Sequence, residues 1–250
     1  MSENSLPKAL HEHLLNRIVD AYDLKEVFSE GDQPYLPLES HLPMAQGSVG
    51  HMRLFTGNPL FQVVTSSIVV PAIQLDSHMV FAFMPSNSAI PHFTVDSVEA
   101  GDTHAFHLDL IPRVDLGSNL AYLEEVYDPL TEACESAREI EGLTRAHLSP
   151  KQWAIMSPWM IANRATAEAF SDITKTVDTY LDHWFGLVEK GLSAAATEHV
   201  TEAELAARDK RNKQIIFNPT VDPVWQRIAP MVGEEAAAKQ IETLQAVSSL

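Results

Sequence analysis

Cysteine, basic residues and glycine motifs are scarce in this 250-residue chain, and each scarcity removes a class of function. Cys134 is the only cysteine, so neither an intrachain disulfide nor an all-cysteine iron–sulfur or zinc site can be built. Any redox chemistry must draw its electrons from outside the chain. The 17 lysines and arginines face 34 aspartates and glutamates, a formal charge of −17 that argues against a nucleic-acid partner, because phosphate binding needs a basic surface. The ten glycines never form a Gly-x-Gly-x-x-Gly or phosphate-loop pattern, which removes the usual grounds for a bound nicotinamide or nucleotide. No apolar run is long enough to cross a bilayer, so no membrane partner is expected. The opening Met1-Ser2-Glu3-Asn4-Ser5 has neither an apolar signal segment nor Arg-rich transit character, and a cytoplasmic location is expected.

What is present is an ordinary globular composition, 45% hydrophobic and 20% charged, with no break that demands more than one domain over residues 1–250. Residues 6–28 read as an amphipathic helix, with Leu10, Leu14, Ile18 and Tyr22 at helical spacing. Short apolar runs broken by turn residues follow at 52–55, 61–70, 78–84, 93–98 and 104–111, the pattern of an antiparallel meander. The second half reads as helices over 119–127, 129–140 (capped by Asp128), 149–156, 165–190, 201–213 and 234–247, with one more strand at 159–164. The expected fold is α+β, a three-layer α/β/α sandwich with a central antiparallel sheet flanked by helices.

The segment Pro91-His92-Phe93-Thr94-Val95-Asp96-Ser97-Val98 and its successor His104-Ala105-Phe106-His107-Leu108-Asp109-Leu110-Ile111 carry the chemistry. Gly101-Asp102 reads as a two-residue hairpin loop, which sets Ala100 opposite Thr103 and Asp96 opposite His107. Side chains alternate, so His92, Thr94, Asp96, His107 and Asp109 share one face and Phe93, Val95, Phe106, Leu108 and Leu110 the other. Two readings of the polar face stand side by side: a solvated sheet surface, or a pocket floor where burial tunes a carboxyl and an imidazole for proton transfer. Neither His11-Glu12-His13 nor the His104 and His107 pair has metal-ligand geometry, and Gly47-Ser48-Val49-Gly50 lacks nucleophile-elbow spacing. No metal site is expected.

The run Pro91 to Asp96, then His107-Leu108-Asp109-Leu110-Ile111-Pro112-Arg113-Val114-Asp115-Leu116 and Tyr122-Leu123-Glu124-Glu125-Val126-Tyr127, resembles red chlorophyll catabolite reductase, which belongs with the ferredoxin-dependent bilin reductases. The resemblance continues through Leu148-Ser149-Pro150, Ser157-Pro158, Arg208-Asp209-Lys210 and Pro230-Met231-Val232-Gly233-Glu234-Glu235, covering roughly residues 85–245 in order. It implies a linear tetrapyrrole substrate held between sheet and helices, reduced by single electrons from ferredoxin, with no tightly bound cofactor. It matches the family's strand carboxyl to Asp96, an Asp where the plant reductases carry Glu, and a second carboxyl to Asp222. His107 would share or relay the proton, while His92, Thr94, Asp109 and Arg113 would contact substrate. An acidic ferredoxin would need a basic patch, for which Arg208, Lys210, Arg211 and Lys213 are the dense candidate. A homodimer stays open. So do two other functions on this scaffold: a non-catalytic tetrapyrrole-binding protein, and a cofactor-free enzyme acting on another flat apolar substrate.

Overall fold

Helix α1 (Leu6–Tyr22) starts at a clear signal: the Ser5 hydroxyl accepts the Lys8 N–H at 3.1 Å, and Pro7 sits in the first turn, where its missing N–H is not needed. It stops at Asp23, in the left-handed region at φ 46°, earlier than the expected end near Phe28. Lys25–Val27 is instead a short strand, β1. The computed structural model describes residues 5–249, so residues 1–4, on which the expectation about targeting rested, lie outside the described part.

Eight more strands follow: β2 (Leu36–Glu39), β3 (Ser48–Gly57), β4 (Leu60–Val70), β5 (Leu75–Phe83), β6 (His92–Ala100), β7 (Thr103–Ile111), β8 (Leu143–Arg145) and β9 (Ile161–Ala165). They form one sheet in the order β1-β3-β4-β5-β6-β7-β9-β8, with β2 also paired to β3. Every pairing is antiparallel, as the closely spaced apolar runs led one to expect. Gly50 on β3 has φ 152°, and a Cβ there would stand 1.8 Å from the Ser67 carbonyl oxygen, so the β3–β4 approach requires glycine.

The helices of the second half are α2 (Leu120–Val126), α3 (Thr131–Arg138), α4 (Pro150–Trp153), α5 (Ala167–Asp172), α6 (Thr174–Lys190), α7 (Ala194–Thr197), α8 (Glu202–Ile216), α9 (Val224–Val232) and α10 (Glu234–Gln245). Reciprocal capping boxes start α4 (Ser149 with Gln152) and α8 (Thr201 with Glu204). Asp128 makes no capping bond: it opens a single 3-10 turn, Asp128–Leu130, that leads into α3. The long helix expected over 165–190 is two, because Ala165 still belongs to β9, the Thr166 hydroxyl caps α5, and the chain tightens at Ile173. Helix α9 goes unseen in the sequence because Pro223 precedes it and Pro230 lies within it, both read as breakers.

Two apolar layers sandwich the sheet. Leu14 and Ile18 of α1 and Tyr180 and Trp184 of α6 pack with Phe93, Val95, Phe106, Leu108 and Leu110, the apolar stripe of the hairpin. On the other face Met79, Phe81 and Phe83 of β5 meet Phe217, Trp225 and Ile228, with Leu244 of α10 closing the layer. The three-layer α/β/α arrangement is therefore the expected one, and it leaves the polar stripe of β6 and β7 under helices instead of in water. No helix among the described residues is long and apolar enough to cross a membrane.

Candidate active site

The β6–β7 hairpin closes in two residues, with Gly101 at φ 62° pairing Ala100 with Thr103. That register sets Asp96 opposite His107 and Thr94 opposite Asp109. Over this face the C-terminal end of α8, the loop carrying Asp222 and the first turn of α9 enclose a cavity of about 170 Å³. Thr94, Asp96 and His107 form its polar floor, and Asp222 joins them from the loop. The rest of the wall is apolar, chiefly Phe81, Met156, Met160, Phe217 and Trp225. Enclosure by such side chains is what turns a polar stripe into a tuned one.

Burial raises the pKa of Asp96 to about 7, and the Asp222 carboxylate pushes in the same direction. Asp222 is itself raised by burial, partly offset because its Oδ1 accepts the Val224 N–H at 3.1 Å. Burial takes His107 the other way, down to about 4, so near neutral pH it is an uncharged imidazole. Three polar atoms of the wall have no hydrogen-bond partner among the described residues: Thr94 Oγ1, His107 Nε2 and Trp225 Nε1. Buried polar atoms are rarely left unpaired, so a cavity with three of them is built to present hydrogen bonds to something within it. No hydrogen bond joins Asp96 to His107 among the described residues. The acid is free to face the cavity.

The other residues singled out in the sequence lie elsewhere. His92 Nδ1 accepts the Met84 N–H at 3.0 Å, which leaves its proton on Nε2, 2.8 Å from Asp209 Oδ1. Arg113 donates to the Ser86 carbonyl at 2.7 Å and lies 3.6 Å from Asp209, and Lys213 Nζ is 3.2 Å from the other Asp209 oxygen. These four form a buried charge cluster beside the cavity, not in its wall. Burial raises the Asp209 carboxyl, but the hydrogen bond from His92 and the two cations outweigh it and hold the pKa down to about 2. Burial lowers His92 to about 3, helped by Arg113. His92 and Arg113, expected as substrate contacts, therefore do not line the cavity, and Lys213, 1% exposed, cannot belong to a docking surface. Arg208 is half-buried, while Lys210 and Arg211 are exposed.

Asp109, expected at the substrate, does not line the cavity either: its two oxygens accept the Ser157 N–H at 3.0 Å and the hydroxyl at 2.5 Å. This tie fixes the turn between Met156 and Met160, both of which line the cavity. Ser157→Ala removes the hydroxyl's bond to Asp109 and with it the acceptor of the Trp159 N–H at 3.1 Å, and is expected to lower stability by about 1–3 kcal/mol, read from the urea midpoint at unchanged slope. Met79, Phe81, Met156, Met160 and Trp225 escaped the sequence reading. Only the alternation of β5 carried a signal for the first two. Among the described residues no group of three or more His, Cys, Asp or Glu side chains is spaced to hold a metal ion.

No protein-family model matches the sequence, and no curated protein matches it either. Among solved structures, phytochromobilin synthase from tomato, in complex with biliverdin, superposes with a TM-score of 0.73 at 18% sequence identity, over 95% of this chain and 82% of that one. At that identity the likeness speaks to the fold and not to the chemistry. The enclosed floor of Asp96 and His107 thus sits in a chain with the fold of a bilin-binding synthase.

Proposed function

We propose that this chain is a reductase of a linear tetrapyrrole, taking single electrons from ferredoxin and supplying the protons itself. The observation that carries the reading is Asp96, a carboxyl with pKa raised to about 7 on the floor of an apolar cavity that presents three unpaired polar atoms. Adding an electron to a conjugated tetrapyrrole leaves a basic radical anion, and an acid held neutral near pH 7 can protonate the carbon being reduced. Two electrons and two protons saturate one double bond. Asp96 gives the first proton and Asp222 the second, while His107, uncharged near pH 7, offers a hydrogen bond to a pyrrole nitrogen or a lactam oxygen. The likeness to a synthase that holds biliverdin supports the choice of pigment, and the sequence resemblance adds red chlorophyll catabolite as the other substrate to try.

The test is anaerobic mixing with biliverdin or red chlorophyll catabolite, reduced ferredoxin and its reductase, followed by absorption. A shift or bleaching of the visible band that depends on the chain is the expected result. An unchanged spectrum with both pigments would overturn the proposal. A shift on binding with no further change on reduction would leave a pigment-binding protein.

A further inference from the structure

We infer that the outer side of β8, α4 and β9 is the surface on which the acidic electron donor docks, with Arg145, Lys151 and Arg164 as its cations; this rests on the ferredoxin reading above. Residues 142–167 contain no aspartate or glutamate. In a chain with 34 acids among 250 residues a stretch of that length would carry about three or four, so the gap leaves a cationic island on an acidic molecule. Arg145, Lys151 and Arg164 are all exposed, and none makes an ion pair among the described residues.

The three gather around α4. Arg164 pairs with Ala105 and Ala162 with His107, so Arg164 and Ala162 project from the cavity side of β9. Lys151 lies in α4 itself. Alternation starts Arg145 on the opposite face, but β8 is the last strand of the sheet, and the guanidinium ends 4.4 Å from the centroid of the Trp153 ring in α4. Stacking holds that cation in place without a carboxylate to neutralise it. The same stretch makes one wall of the cavity, through Gln152, Met156 and Ala162. Gln152 adjoins Lys151, and Ala162 is about 7 Å along the strand from Arg164. A donor seated on these cations has only that wall between it and a pigment over Asp96. On α8, by contrast, the exposed Lys210 and Arg211 share their helix with Glu202 and Glu204, a patch of both signs. An acidic protein small enough to cover the island meets attraction there and repulsion elsewhere on the chain, which fixes where it lands.

The test is the KM for ferredoxin in pigment reduction by the full chain, at about 50 and 200 mM salt, beside an absorption titration with the pigment. Wild type should lose affinity for ferredoxin as salt rises. Arg145→Gln/Lys151→Gln/Arg164→Gln should raise KM about ten-fold or more at the lower salt, flatten the salt dependence and bind pigment as wild type does. Arg145→Lys/Arg164→Lys, which keeps the charge, should stay within about two-fold of wild type, a result that a merely structural guanidinium–indole contact would not give. Unchanged KM in the Gln variant overturns this surface and leaves the bilin reading standing. Weaker pigment binding by that variant overturns it too, by placing the cations in the pigment's own site, and a raised KM in Lys210→Gln/Arg211→Gln alone overturns it in favour of α8. If wild type reduces neither biliverdin nor red chlorophyll catabolite, the bilin reading fails, and the docking surface with it.

Discussion

Asp96→Asn should give a chain that is more stable than wild type above pH 7 and nearly inactive. The folded-state pKa of Asp96 is raised from 3.8 to about 7, so between those values the folded chain keeps a proton that the unfolded chain has lost. Stability therefore falls as pH rises through that window, and the whole penalty is present above pH 7. Asparagine cannot titrate and removes the penalty, a gain on the order of 2–4 kcal/mol at pH 8 that vanishes below about pH 4. On the proposed function the same change deletes the proton donor and should slow pigment reduction by about 10²–10⁴-fold. Urea melts of both proteins from pH 4 to 8, paired with the spectral assay, read the two effects together. A variant no more stable at pH 8 than at pH 4, relative to wild type, would show that Asp96 titrates normally. In wild type the reduction rate should fall as pH rises past about 7, where the acid loses its proton.

Asp209→Asn should be the most damaging conservative change in the chain. Asp209 and Lys213 are each 1% exposed, and the carboxylate is the one anion among the described residues that pairs with both Arg113 and Lys213. Neutralising it strands two cations away from water, which costs about 3–5 kcal/mol in comparable buried pairs and is a large share of a domain's total stability. Burial already holds Lys213 down to about 8 with its partner present. Without the partner Lys213 should fall further and shed its proton near neutral pH. The expected result is a urea midpoint lowered enough to leave little folded protein at 37 °C, with Asp209→Asn/Lys213→Met recovering much of the loss. A single variant within about 1 kcal/mol of wild type would mean that the cluster is hydrated.

The fate of these residues shows what the sequence could and could not display. The hairpin was legible because a Gly-Asp loop admits few closures and alternation then sorts every side chain. The run Arg208 to Lys213, expected as a basic docking patch, is exposed only in part, because a dense run of charges does not by itself show which side of a helix each one takes. Yet Leu205, Asp209, Lys213 and Ile216 stand at helical spacing, and that stripe is buried. A charge on an apolar stripe was the available signal. The roof of the cavity was illegible for another reason. Met156, Met160, Asp222 and Trp225 come from turns and helix starts where no period operates, and α9 was hidden by its own prolines.

The cavity joins parts of the chain that are made far apart in time. Asp96 and His107 belong to a hairpin that can close from local sequence alone, whereas Phe217, Asp222 and Trp225 arrive more than a hundred residues later. During synthesis the hairpin is complete while its roof is still unmade, and the Asp96 carboxyl is then an ordinary, solvated and ionised one. Its acidity as a donor is conferred only when the C-terminal layer docks. On the proposed function, a nascent or truncated chain would meet a pigment with no carboxyl held neutral near pH 7, and proton supply would begin only in a copy that has finished folding.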